Sequence, residues 1–256
     1  MVENETSPAI RPFVHLIAGP TGVGKSAAAT ELARATGAPI VVADRLQCFT
    51  DLATTSARAG ADVPGVRRHW LGDRTFADGD LSATEAADAL VELVERLAVH
   101  HELVIIEGGS ISLLRVLCTR REQLGWRLTV RLLPLPAYDT YVAALTGRAH
   151  AMLTPGACGP GLLQELAALW RDPRRRRLAA SVNGFEAVLE CCAKYSIDAG
   201  AIDEQEIPAH VLHRIAALIA LRHAEHGILQ QRVFTEIFKN GTTVPAFDSG
   251  MLERVA

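Results

Sequence analysis

The chain has 256 residues, of which 49% are hydrophobic, and carries 26 Lys and Arg against 29 Asp and Glu, a formal net charge of −3. That size holds one α/β domain, or such a domain with a small satellite, and no apolar stretch approaches the roughly 18 residues of a membrane span. The charge supplies no long-range attraction to nucleic acid, and five scattered cysteines (48, 118, 158, 191 and 192) with no C-x-x-C pair exclude a disulfide framework or a zinc ribbon.

The first residues, MVENETSPAIRP, are acidic and polar and lack a basic-then-apolar signal pattern, so a cytoplasmic location is expected. FVHLIA (13–18) reads as a short buried strand. It feeds GPTGVGKS, which meets the phosphate-loop pattern G-x-x-x-x-G-K-[ST] at Gly19, Gly24, Lys25 and Ser26. Such a loop wraps phosphates in backbone N–H groups, adds the lysine charge, and places the Ser hydroxyl to ligate Mg²⁺. The next segment reads as a helix whose N-terminal dipole favours an anion, with Leu32 and Ala33 four residues after Ala28 and Ala29 and Gly37 as its stop. The loop alone leaves the phosphate unassigned, because it serves kinases, ATPases and at least one group of enzymes that transfers no phosphate.

Further strands are expected at Pro39–Ala43, His69–Gly72, Leu103–Glu107 and Leu128–Leu133, the pattern of a mostly parallel sheet flanked by helices. The second ends in VVADRLQC, so Asp44 emerges beside the phosphate loop at the carboxyl edge of a parallel strand, where such folds place ligands. An Asp there also serves as a turn or helix cap. Ser82 and Glu85 form a capping box ahead of a helix with a stripe of Leu90, Leu93, Val94 and Leu97. LVIIEGG ends in Glu107, where a motor-type NTPase usually carries an Asp that holds Mg²⁺ through water.

From Tyr138 onward only helices are expected: Thr140–Met152, Gly161–Arg171, Gly184–Tyr195, and a long one from Pro208 to about Gln231. TPGACGPG (154–161) reads as a mobile loop or joint between a P-loop α/β domain, 12–153, and a helical part, 154–256, packed on it. The run RDPRRRR (171–177) has the look of a nucleic-acid patch, but arginines such as Arg174 and Arg177 at the start of a surface helix more often form a solvated face, the preferred reading.

In this order and spacing, GPTGVGKS, DRLQ (44–47) and EGGSISLL (107–114) resemble the P-loop prenyltransferases, most closely the bacterial adenylate dimethylallyltransferases, isopentenyltransferases that begin cytokinin synthesis. The similarity continues through LATTSAR (52–58), GRAHAM (147–152), LLQELAALW (162–170), NGFEAVLECCAKY (183–195) and EHGILQQR (225–232). The larger tRNA dimethylallyltransferases share the loop and the Asp but add a tRNA-gripping insertion and often a zinc-finger tail, neither of which is evident here.

This resemblance implies transfer of a dimethylallyl group, plain or hydroxylated, from its diphosphate to N6 of AMP, or of ADP or ATP, with Mg²⁺. It implies Asp44 as the base, Thr21 aimed at the bridging oxygen, and Lys25 as charge on the leaving group. Gly19, Gly22, Val23, Gly24, Ser26 and Arg148 would hold the diphosphate, with Mg²⁺ on Ser26, while Ser56 and Arg58 would contact the nucleotide. Asn183, His223 and His226 would surround the donor tail. At the first two of these positions a bacterial relative has Asp and Tyr, which bears on donor preference rather than on the chemistry. The two histidines, at i and i+3 without a third ligand, are weak evidence for a metal and suit a polar pocket better. A monomer with neither nucleic-acid nor membrane partner is expected. The alternatives are a P-loop small-molecule or nucleotide kinase, with DPRRRRLAAS as an Arg-rich lid, and a nucleotide-dependent switch.

Overall fold

A parallel strand covered on both faces needs a continuous apolar run rather than an alternating one, and FVHLIA supplies it. In the computed structural model, which describes residues 11–61, 63–156 and 159–239, this run is β1 (Phe13–Ala18). It lies inside a five-stranded sheet with β2 (Ile40–Val42), β3 (Arg68–Trp70), β4 (Leu103–Gly108) and β5 (Arg127–Leu132), in the order β3-β2-β4-β1-β5. Every pairing is parallel, and the β1–β4 register runs from Phe13 opposite Leu103 to Ala18 opposite Gly108. The chain leaves β1 for a strand beyond β4, and leaves β4 for a strand beyond β1. Their carboxyl ends therefore open onto a crevice, the place where such sheets bind ligands.

The two faces are covered by different helices. Ile17, Ile40 and Ile105 pack under α1 (Lys25–Thr36), which ends as expected at Gly37 with its N–H donating to the Ala33 carbonyl at 2.8 Å. Val14, Leu16, Val41 and Ile106 face α2 (Ala83–Ala98), α3 (Ile111–Thr119) and the end of the last helix. The α2 capping box is present: the Glu85 N–H donates to Ser82 Oγ at 3.1 Å, and the Ser82 N–H donates to Glu85 Oε2 at 2.9 Å. Beyond β5 come α4 (Tyr138–Leu153), α5 (Leu162–Trp170), α6 (Arg176–Ala179), α7 (Phe185–Tyr195) and α8 (Ala209–Phe238). α8 outruns its expected end near Gln231 because Val233, Phe234 and Phe238 continue its buried stripe onto the sheet core. Its first half packs in a second core with α5 and α7, through Val211, Ile215 and Ile219.

Further sequence expectations need adjustment. β3 starts one residue early and stops two short, and α3 was not foreseen: its nine residues give too few turns for a clear period. Part of TPGACGPG (157–158) lies outside the described residues, as do 1–10 and 240–256. What is described of that loop is fastened: Gly156 and Gly159 bridge, and Thr54 Oγ1 donates to the Pro160 carbonyl at 2.6 Å. The arginine run is a surface feature. Arg174 and Arg175 pair with Asp172, and Arg176 lies over the Trp170 ring at 5.5 Å.

Glu107, at the end of β4, is ion-paired with Arg68 of β3, each side chain only 4% exposed, and Arg68 also donates to Thr30 Oγ1 on α1 at 3.0 Å. The pair pins two strands and a helix beneath the phosphate loop. Removing one partner of such a pair leaves a buried charge without its counter-ion, so Glu107→Ala should lose about 3–5 kcal/mol in urea unfolding. The double change Arg68→Met/Glu107→Leu should lose distinctly less.

Candidate active site

The crevice deepens into a cavity of about 710 Å³ between the phosphate loop, the segment after β2, the β4–α3 turn, and helices α4 and α8. Its floor is the loop itself. Gly24 precedes α1 at φ 92°, a left-handed conformation that only glycine adopts without strain, and this turn leads the backbone into the first helical turn. Lys25 Nζ donates to the Pro20 carbonyl at 2.7 Å, folding the side chain back along the loop. Its burial pushes the pKa down to about 8, with Asp44 acting to raise it and Arg148 to lower it.

Asp44 stands two residues past β2, and Gly108 is what lets β4 end so close to it. A Cβ on Gly108 would sit 2.4 Å from the Ala43 carbonyl oxygen. Asp44 Oδ1 accepts the Leu46 N–H at 2.9 Å, so the residue caps the turn while its carboxylate lines the cavity. Both readings of this Asp therefore apply. Arg148 of α4 enters from the opposite wall, and its charge reaches Lys25 and His223. His226 of α8 feels the Asp44 carboxylate, which acts to raise its pKa against the larger lowering by burial.

Of the residues singled out in the sequence, Thr21, Gly22, Gly24, Lys25, Ser26, Asp44, Ser56, Arg148, Asn183, His223 and His226 all line this one cavity. Gly19 sits beneath it, where a Cβ would come 2.9 Å from the Leu133 carbonyl, and the Val23 side chain packs with Tyr141, Leu145 and Ala224. Arg58 is not brought there. Ala57, at φ 61°, turns the chain so that Ser56 faces inward while Arg58 pairs with Asp73, donates to the Gln47 carbonyl at 3.0 Å and lies over Trp70. The nucleotide contact expected at Arg58 is thus not among the groups brought to the cavity: its guanidinium is engaged by Asp73, the Gln47 carbonyl and Trp70.

Three side chains that hold the walls of the cavity were not singled out in the sequence. Glu165 of α5 is 4% exposed and accepts the N–H groups of Thr54 and Thr55 at 2.7 and 2.8 Å, which fixes the loop carrying Ser56; burial holds its pKa up. Tyr141 Oη donates to the Thr21 carbonyl at 2.6 Å. Gln230, 3% exposed, accepts the Thr21 N–H at 2.8 Å and donates to the Gly109 carbonyl at 2.6 Å. A signal existed for Gln230: it is a polar residue on a helical stripe shared with Gly227, Val233 and Phe234.

Among the described residues no group of three or more His, Cys, Asp or Glu side chains could hold a metal ion. The donors present fit a cation carried in with phosphate. Ser26 lines the cavity, and so does Glu107, whose buried Oε2 has no hydrogen-bond partner.

A P-loop, a carboxylate facing it, and walls of mixed polarity around one partly open cavity define a P-loop protein built to hold a phosphorylated ligand against a carboxylate. The chain belongs to the isopentenyl transferase family, whose model matches residues 12–243. It is 40% identical over 228 residues, 89% of each chain, to the adenylate dimethylallyltransferase of Rhodococcoides fascians, and 32% identical to that of Ralstonia nicotianae, over 88% of this chain and 94% of the relative. Its fold is shared with the tRNA isopentenylpyrophosphate transferases of Bacillus halodurans (TM-score 0.68, 12% identity, 96% and 98% of the two chains) and Staphylococcus epidermidis (TM-score 0.66, 13% identity, 88% and 90%). It is a prenyltransferase.

The cavity has a pH signature in stability. Burial, then Arg148 and His226, push the His223 pKa from 6.5 down to about 4, and its Nδ1 is buried without a partner. A base with a lowered folded-state pKa takes up its proton first in the unfolded chain. Its stability contribution is therefore complete above pH 6.5 and lost as the pH falls toward 4. His223→Asn should flatten the stability profile in that window, as read by urea unfolding at a series of pH values.

Proposed function

We propose that the protein transfers the dimethylallyl group of dimethylallyl diphosphate to the exocyclic N6 amine of AMP, releasing diphosphate, the step that opens cytokinin formation. The observation that carries this reading is the confrontation of Asp44 with the phosphate loop across a single cavity. The names of the relatives in Rhodococcoides and Ralstonia supply the substrate class.

The N6 amine is a poor nucleophile because its lone pair is delocalised into the ring. In the proposed step the N6–carbon bond forms as the donor's carbon–oxygen bond breaks, the N6 proton passes to the Asp44 carboxylate, and the electron pair leaves with diphosphate. Charge grows on the departing oxygens, and Lys25, Arg148 and the loop N–H groups of Gly22 to Ser26 are the fixed donors that meet it. The Thr21 hydroxyl faces the bridging oxygen, and Ser56 meets the acceptor. Ser26, with the free oxygen of Glu107 behind it, would hold Mg²⁺ arriving with the diphosphate, and the ion would add positive charge to the leaving group. A cytoplasmic monomer acting on a free nucleotide rather than on tRNA fits the net charge of −3 and the engagement of the arginine run by Asp172 and Trp170. Among the described residues no helix is long and apolar enough to cross a membrane.

The test is incubation with Mg²⁺, dimethylallyl diphosphate and AMP, with products weighed by mass spectrometry. Prenylated AMP and diphosphate are expected; brisk ADP formation from ATP with no prenyl donor would favour a kinase. Asp44→Asn should slow transfer by about 10²- to 10⁴-fold while donor binding persists. Near-normal turnover would remove Asp44 from the reaction.

The far end of the cavity bears on the donor. A plain dimethylallyl tail offers no hydrogen-bond partner to Asn183, which is exposed, or to the half-buried imidazole of His226. A donor with a terminal hydroxyl satisfies them, and the hydroxylated donor should be accepted alongside the plain one. Asn183→Leu or His226→Leu should then reduce turnover of the hydroxylated donor more than of the plain one. Equal losses would mean that these side chains only shape the pocket.

A further inference from the structure

Thr21 is gripped from both sides of its peptide unit by side chains that enter from helices far along the chain. On the N–H side, Gln230 Oε1 accepts the Thr21 amide at 2.8 Å and also stands 3.4 Å from the Thr21 hydroxyl. On the carbonyl side, Tyr141 Oη donates at 2.6 Å. Gln230 is itself anchored, since its Nε2 donates to the Gly109 carbonyl at 2.6 Å in the turn that ends β4. The tyrosine reaches Thr21 because α8 has glycine where the ring crosses: a Cβ on Gly227 would lie 2.3 Å from Tyr141 Oη. Gly227 and Gln230 are three residues apart, so one face of α8 makes the passage and supplies the clamp.

The consequence is specific to the phosphate loop. The Thr21 amide is taken by Gln230 and is not among the N–H groups offered to phosphate, so Thr21 addresses a ligand through its hydroxyl. That hydroxyl sits at the long end of hydrogen-bond range from the same Oε1 that holds the amide tightly. The backbone is thus fixed while the hydroxyl proton is only weakly engaged and can turn to an oxygen in the cavity. An amide oxygen has two lone pairs, enough to serve both groups without a competing partner.

We propose that Gln230 is a positioning residue for departure of the diphosphate: it holds Thr21 so that the hydroxyl donates to the leaving oxygen in the transition state. This rests on the reading that a prenyl diphosphate occupies the loop. Gln230 touches no reacting atom and acts through Thr21.

The experiment is a double-mutant cycle on the full chain, with Thr21→Ala, Gln230→Met and both together, following kcat, the KM of each substrate and the affinity for inorganic diphosphate with Mg²⁺ by calorimetry. Loss of one preorganised donor acts on the transition state more than on the bound ground state. Gln230→Met should therefore lower kcat by about 10- to 100-fold, with both KM values and diphosphate affinity within about threefold of the unmodified protein. In the Thr21→Ala background the same change should cost less than about threefold, because the group it positions is gone. Equal losses in the two backgrounds, or a lowered melting temperature with kcat unchanged, would overturn the proposal and leave Gln230 a packing residue. If Gln230→Met does not fold, Gln230→Glu keeps an acceptor oxygen toward Thr21, while it replaces the donor to Gly109 by an acceptor and adds negative charge beside the loop. In the Gln230→Glu background, Thr21→Ala should still lower kcat by the same factor as in the unmodified protein, and a factor near one would overturn the proposal. An unmodified protein that makes no prenylated nucleotide defeats the functional reading instead. The proposal concerns departure of diphosphate from that donor, so it falls with that reading.

Discussion

A lysine held largely out of water, with its pKa drawn down to about 8, is the constraint around which this cavity is arranged. Burying an ammonium is costly unless something nearby offsets the lost hydration. In the free protein, Lys25 has the Pro20 carbonyl and the field of Asp44, but Arg148 works against it. The site therefore carries concentrated positive charge facing backbone N–H groups, in a space partly closed to solvent. An anion rich in oxygen relieves that charge. Once a ligand displaces water from the site, interactions with negative charge that develops during reaction strengthen, which is where catalysis draws most from preorganised donors.

The helices after β5 make this arrangement possible by returning to the sheet. α4 delivers Arg148 and Tyr141, and α8 delivers His223, His226 and Gln230. α8 packs its first half on α5 and α7 and its last turns on the sheet core, so it holds the cavity between two hydrophobic clusters. The phosphate loop is consequently not a free-standing motif. Its third residue is set by contacts more than a hundred positions away, and its floor rests on the buried Arg68–Glu107 pair.

Local patterns carried much of this. The phosphate loop, the β1 run, the α2 capping box and the Gly37 stop were legible because each depends on residues within a few positions of one another. Topology placed Asp44 at the carboxyl edge of the sheet, where such folds bind ligands, but left open whether it faced a ligand or capped a turn. Arg58 illustrates the limit. Its type and neighbourhood suited an anion, but a single left-handed residue, Ala57, turns it away from the cavity toward Asp73 and Trp70. Gln230 illustrates the converse: a polar side chain on a buried helical stripe signalled a partner without identifying it.

The amino-acid sequence by itself determined the class of fold and the presence of a phosphate cradle, which follow from short-range rules: hydrophobic period, capping, and the spacing of the loop. Most of the side chains expected around the cradle, Arg148, Asn183, His223 and His226 among them, were named by the family resemblance. Only the tertiary structure decided which charges share one space, that Glu107 gives one oxygen to Arg68 and leaves the other free, and that Thr21 offers its hydroxyl but not its amide. Those outcomes depend on contacts between segments distant in the chain, where a side chain's role is set by what the folded backbone brings within about 3 Å of it.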